Sequence, residues 1–132
     1  MNRRHLLLAA VAVAVTPMAA SADQYVDFSP GVVKDALKDG KTVLVEYAAS
    51  WCSTCRRQER VINALRAEDP AYDAAITFVK VDWDRFNRHD VAVSRAIPRR
   101  STLVLLRGND ELGRIVAGTS QSQIKGLLDR AL

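Results

Sequence analysis

Cysteine is nearly absent from this chain: Cys52 and Cys55 are the only two among 132 residues. Lying three apart, they work together or not at all. Histidine is as scarce, with only His5 and His89, and that scarcity excludes two common uses of a cysteine pair. A structural zinc site needs four ligands, and beyond residue 22 only His89 can join the cysteines. Covalent haem attachment needs a histidine directly after the second cysteine, where Arg56 stands. Long apolar runs are missing too. The one unbroken stretch, Leu6–Val15, falls short of the ~20 residues a spanning helix requires, and Thr16-Pro17 interrupts it. No repeat, low-complexity tract or long linker divides the chain. Its 26% charged and 48% hydrophobic residues therefore suit one globular domain.

What precedes that domain has its own order. Arg3 and Arg4 come first, then the apolar run, then the small-residue signature Ala20-Ser21-Ala22. This is the pattern of a secretory signal peptide. Cleavage is expected after Ala22, with residues 1–22 removed and 23–132 forming the mature domain. The paired arginines before His5-Leu6-Leu7 are compatible with twin-arginine export as well as the general route. Contact with a membrane is then expected only during export. Removing Arg3 and Arg4 from 19 basic residues leaves 17 against 15 acidic, a net charge of +2. Such a small excess, with no aromatic-interleaved basic stripe, excludes nucleic acid as the natural partner. Export also implies a periplasmic or other extracytoplasmic location, where thiols do not stay reduced by default.

Along the mature chain, Ser29-Pro30 opens a helical stretch that Gly40 ends. Thr42–Tyr47 is β-branched and apolar, a strand buried on both faces. Cys52 to about Ala67 reads as a helix, with Cys55, Glu59, Ile62 and Leu65 recurring on one side, and Asp69-Pro70 closes it. Ile76–Val81 is a second strand, Phe86–Ala96 a helix and Thr102–Leu106 a third strand. Gly108-Asn109-Asp110 is turn chemistry, so Leu112–Ala117 returns as a hairpin arm. Ser120–Leu132 is a final amphipathic helix. Alternating strands and helices followed by a hairpin predict an α/β fold with a mixed central sheet and helices on both faces. Reactive groups in such sheets lie beyond the carboxyl ends of the parallel strands. Cys52 follows the strand Thr42–Tyr47 at that end.

Two cysteines at i and i+3 share one face of a helix's first turn. Disulfide exchange is carried by a thiolate, and the unpaired N–H groups and dipole at a helix start favour an anion. Cys52 is therefore expected to be the exposed nucleophile. Cys55, one turn in, is expected to be shielded and to resolve the mixed disulfide. A purely structural disulfide across so short a loop would constrain little of the unfolded chain. Glu46 interrupts the apolar strand just before the pair. Burial raises a carboxyl pKa, and such a group can take the Cys55 proton during resolution; the competing reading is a carboxylate in solvent at a sheet edge. Trp51 is expected to pack as a lid beside Cys52, with core packing as the alternative.

The segment Val43-Leu44-Val45-Glu46-Tyr47-Ala48-Ala49-Ser50-Trp51-Cys52-Ser53-Thr54-Cys55 resembles the strand and active-site turn of the thioredoxin family. The resemblance runs from about Val32 to Leu128, with Val79-Lys80-Val81-Asp82 and Thr102–Leu106 similar to the next two central strands. Asp39-Gly40-Lys41 and the charged Arg56–Arg60 look most like exported members, such as the C-terminal domain of the DsbD-type transmembrane thiol reductase. The resemblance implies the thioredoxin fold and a thiol–disulfide oxidoreductase with a redox-active Cys52–Cys55 disulfide. It also implies an acid at Glu46, protein thiols and disulfides as partners, and an upstream membrane or soluble thiol donor. It calls for no cofactor and no metal. An oxidant such as DsbA carries an inserted helical domain for which this chain has no room, so reductase or electron carrier is the expected role. One landmark differs. The family places a cis-proline before the strand that begins here at Thr102, where this chain has Ser101 preceded by Arg100. With a non-proline residue the bond is expected to be trans, and the Ser101 hydroxyl becomes free to bond a sulfur or a ligand. Trp51, Arg100 and Ser101 are the expected substrate contacts, with Arg99 and Arg100 adding positive charge that attracts acidic partners. The alternative is a metal-binding or adaptor protein that uses the dithiol and the altered Ser101 loop.

Overall fold

The computed structural model describes residues 12–15 and 24–132; apart from 12–15, the expected signal peptide lies outside the described residues. Five strands form one mixed sheet in the order β1-β3-β2-β4-β5. They are β1 (Val26–Asp27), β2 (Thr42–Ala48), β3 (Ile76–Asp82), β4 (Thr102–Arg107) and β5 (Asp110–Val116). β3 runs parallel to both β1 and β2, whereas β4 runs antiparallel to β2 and β5. The helices are α1 (Val32–Lys38), α2 (Ser53–Glu68), α3 (Pro70–Ala75), α4 (Trp83–Phe86), α5 (Asp90–Val93) and α6 (Gln121–Asp129). The expected thioredoxin fold is present.

Side chains alternate across β2 and divide the core into two layers. Val43, Val45 and Tyr47 pack with Val33 of α1, Phe86 of α4 and Val91 of α5. Leu44 faces the opposite layer, with Ile62 and Leu65 of α2 and Ile124 and Leu128 of α6. All seven residues of β2 are buried because both its edges are paired and both its faces are covered. Glu46 has the parity of Leu44, so its carboxyl group is on the α2 side.

Three elements differ from the sequence expectation. The helix expected over Phe86–Ala96 is instead two short ones. Asp82 caps the first through the Asp84 amide, and His89 Nδ1 accepts from the Val91 amide at 3.1 Å to start the second. Two local caps within eight residues outcompete one continuous helix. Asp69 does end α2, but its side chain also accepts from the Ala71 amide at 2.9 Å, with Pro70 in the first turn, and so opens α3; proline at that position sacrifices no helical bond. The edge strand β1 is two residues long, too short to show a period.

The Leu44 side chain is fully buried against α2 and α6. Leu44→Ala is expected to lower unfolding free energy by about 2–5 kcal/mol, read as a lower urea midpoint with an unchanged m-value.

Candidate active site

β2 ends at Ala48, and the chain turns through Ala49-Ser50-Trp51 into α2. The Cys52 amide donates to the Ala49 carbonyl at 3.1 Å, and Arg56 reaches back to the Ser50 carbonyl at 2.9 Å. Cys52 is the N-cap of α2. Its backbone is extended (φ −89°, ψ 109°) and its sulfur accepts the Cys55 amide at 3.1 Å. A sulfur in this role sits where orphan amides and the helix dipole favour negative charge. Cys52 and Cys55 are joined as a disulfide, with Cα atoms 5.3 Å apart.

Exposure does not separate the two cysteines as expected. Cys52 is 3% and Cys55 2% exposed, so Cys52 is not an open nucleophile in the disulfide form. As a cap it folds back over the first turn, and both sulfurs meet the loop before β4. Position separates them instead: Cys52 caps the helix, while Cys55 lines a cavity of about 500 Å³ together with Arg56, Glu59 and Lys80.

The facing loop supplies Ser101, which is fully buried. Its Oγ lies 3.1 Å from Cys52 Sγ and 3.0 Å from Cys55 Sγ. No cis peptide occurs among the described residues, so Arg100–Ser101 is trans as expected, and Ser101 has φ +61°. A side chain in this left-handed region costs about 1–2 kcal/mol, and the surroundings hold it there. The Ser101 amide donates to the Tyr47 carbonyl at 2.7 Å, while its carbonyl accepts from the Ala117 amide at 2.8 Å. Gln58 Nε2 donates to the same carbonyl and to that of Gly118, both at 2.9 Å. Gln58 was not among the expected site residues. Its signal was a polar residue three positions after Cys55 on the buried face of α2.

Trp51 is not part of the core. It is 57% exposed, its indole N–H donates to Asp84 at 2.8 Å, and the Arg100 guanidinium stands 4.4 Å from the ring centroid. Arg100 Nε is buried and makes no hydrogen bond. The indole is thus held between an acid and a cation with much of its surface open.

Glu46 is fully buried, not at a sheet edge, and neither carboxyl oxygen makes a hydrogen bond. Burial raises its pKa from 4.5 to about 8, the Glu59 charge adds to the rise, and Lys80 and Tyr25 oppose it. Lys80 is the register partner of Glu46 across β2 and β3, and it pairs with Glu59 at 2.7 Å. Tyr25, partly buried, is pushed upward by desolvation and by Glu46. The cavity therefore connects Cys55 with the ion pair whose charges act on Glu46. Among the described residues no three His, Cys, Asp or Glu side chains are grouped to hold a metal ion.

Because folding raises this pKa, the native state keeps a proton that the unfolded chain loses above about pH 4.5. The Glu46 contribution to stability is greatest at low pH and falls as pH rises towards 8. Unfolding followed in urea between about pH 5 and pH 8 should show this loss in the wild type, at most about 4–5 kcal/mol at 1.36 kcal/mol per unit. Glu46→Gln should flatten the profile; parallel profiles would contradict it.

A thioredoxin family profile matches residues 26–130. The putative thioredoxin-4 of Dictyostelium discoideum is 28% identical over 95 residues, covering 72% of this chain and 85% of that protein. Among solved structures, Trxlp of Edwardsiella tarda superposes with a TM-score of 0.68 at 31% identity, covering 78% of this chain and 97% of that one. The thioredoxin NaTrxh of Nicotiana alata gives 0.65 at 27%, covering 81% and 91%. With a match over nearly the whole sheet and the cysteine pair at its usual place, this chain belongs to the thioredoxin family and is a thiol–disulfide oxidoreductase.

Proposed function

We propose that this protein is exported and reduces protein disulfides, with Cys52 as nucleophile, Cys55 as resolving thiol and Glu46 as proton acceptor. The observation that carries the reading is Cys52 as the cap of α2, bonded to a Cys55 that opens on the cavity beside Glu46's charged neighbours. Reduced Cys52 attacks a substrate disulfide as the thiolate; one substrate sulfur leaves and takes a proton, and the other remains joined to Cys52. Glu46 in its ionised form then takes the Cys55 proton, Cys55 attacks Cys52 Sγ, and the second substrate sulfur leaves and takes a proton in turn. The substrate gains two electrons and two protons, and Cys52–Cys55 closes.

The raised carboxyl pKa suits this transfer. An ordinary carboxylate near 4.3 is a poor base towards a thiol near 8.5. A group at about 8 exchanges a proton with such a thiol at little cost. Restarting the cycle requires a thiol donor upstream, membrane-bound or soluble. The reductase direction is supported by the short α4–α5 connection, with no inserted helical domain beside the dithiol among the described residues. Trp51 and Arg100 form the substrate side, where Arg100 favours an acidic residue next to the target disulfide; Ser101, expected there too, is instead fully buried against the sulfurs.

Insulin reduction driven by dithiothreitol is expected well above background for wild type and at background for Cys52→Ser; equal background rates would overturn the reading. Cys55→Ser is expected to accumulate mixed disulfides visible on non-reducing gels. The mass of the exported protein is expected to correspond to a chain starting at Asp23, and a retained N-terminus would count against cleavage.

A further inference from the structure

Ser101 is placed to act on the sulfurs and not on the substrate surface. Its backbone has little freedom, because its amide is taken by Tyr47 and its carbonyl by Ala117 and Gln58. Its Oγ is buried, and its hydrogen-bond partners among the described residues are the two sulfurs, almost equidistant at 3.1 and 3.0 Å. A serine hydroxyl has one proton, and rotation about a single torsion aims it at either sulfur. A disulfide sulfur has no proton to give and accepts weakly, whereas a thiolate accepts strongly. The proline that the family resemblance places here has no side-chain donor at all.

We propose that Ser101 is a shared thiolate donor: its hydroxyl bonds the Cys52 thiolate in the reduced protein and turns to the Cys55 thiolate once Cys52 is held in the mixed disulfide. The proposal rests on the reductase mechanism above and adds a residue to it. No proton or electron passes through Ser101; only the direction of its O–H changes. In the reduced state Cys52 then receives two donors, the Cys55 amide and the Ser101 hydroxyl. During resolution the same hydroxyl steadies the attacking sulfur while Glu46 takes its proton.

Removing the hydroxyl leaves the neighbouring charges in place: Glu46 on β2, Arg56 and Glu59 on α2, Lys80 on β3, Asp84 on α4 and Arg100 in the loop. The test titrates the thiolate absorbance of reduced wild type, Ser101→Ala and Ser101→Gly. Both variants are expected to raise the lower thiol pKa by about one unit, the effect of losing one charge-assisted hydrogen bond. The reduction potential is expected to become more negative, by up to about 30 mV for a tenfold loss of thiolate stabilisation. Alanine keeps the Cβ, and with it the strain serine already bears at this positive φ, whereas glycine relieves it, so the pair separates hydroxyl from backbone. Wild-type titration in both variants would overturn the proposal. So would a shift in Ser101→Gly alone, which would trace the effect to backbone relaxation. Insulin reduction judged against Cys52→Ser reports on the reductase reading independently: a shifted titration in an inactive protein would sink that reading and keep the donor.

Discussion

The site depends on one strand held from both sides. β2 is paired along its length with β3 on one edge and β4 on the other, and it is buried on both faces. Its register sets Glu46 beside Lys80, its carboxyl end delivers Cys52 to the start of α2, and its Tyr47 carbonyl anchors Ser101. A slip of one residue would turn Glu46 to the opposite layer and remove the anchor. The reactive residues therefore inherit their positions from sheet pairing, not from the loops that bear them.

Burial then sets the chemistry. A carboxyl group in water would be ionised near 4.5, yet here desolvation outweighs the attraction of Lys80, in part because Lys80 is already paired with Glu59. The cysteines occupy the same closed region, where a hydrogen bond to a thiolate is worth more than it would be in solvent. In the proposed mechanism the site balances a proton on a carboxyl group against negative charge on sulfur, with the helix start and one hydroxyl as the stabilising groups. Its outer boundary is different in kind. Trp51 is fixed by Asp84 and Arg100 yet largely exposed, as befits a surface that meets another chain.

Much of this was readable because it is local. β2 announces itself as a β-branched apolar run, and a polar residue inside such a run has few places to go, which is why Glu46 stood out. The Ser101 position followed from counting back from Thr102. The break between α4 and α5 was missed because capping by His89 depends on side-chain orientation, and α3 because six residues show little periodicity. Gln58 was overlooked because its two acceptors, the carbonyls of Ser101 and Gly118, come from segments far away in the chain.

The sequence by itself determined the fold, the dithiol and its place at a helix start, since all three follow from patterns within a few residues. Only the tertiary structure decided that both cysteines are closed off, that Glu46 is unpaired, and that one hydroxyl sits between two sulfurs. The hydroxyl stands 49 and 46 residues along the chain from the two sulfurs it meets, and the sheet's register, not any local preference, brings them together.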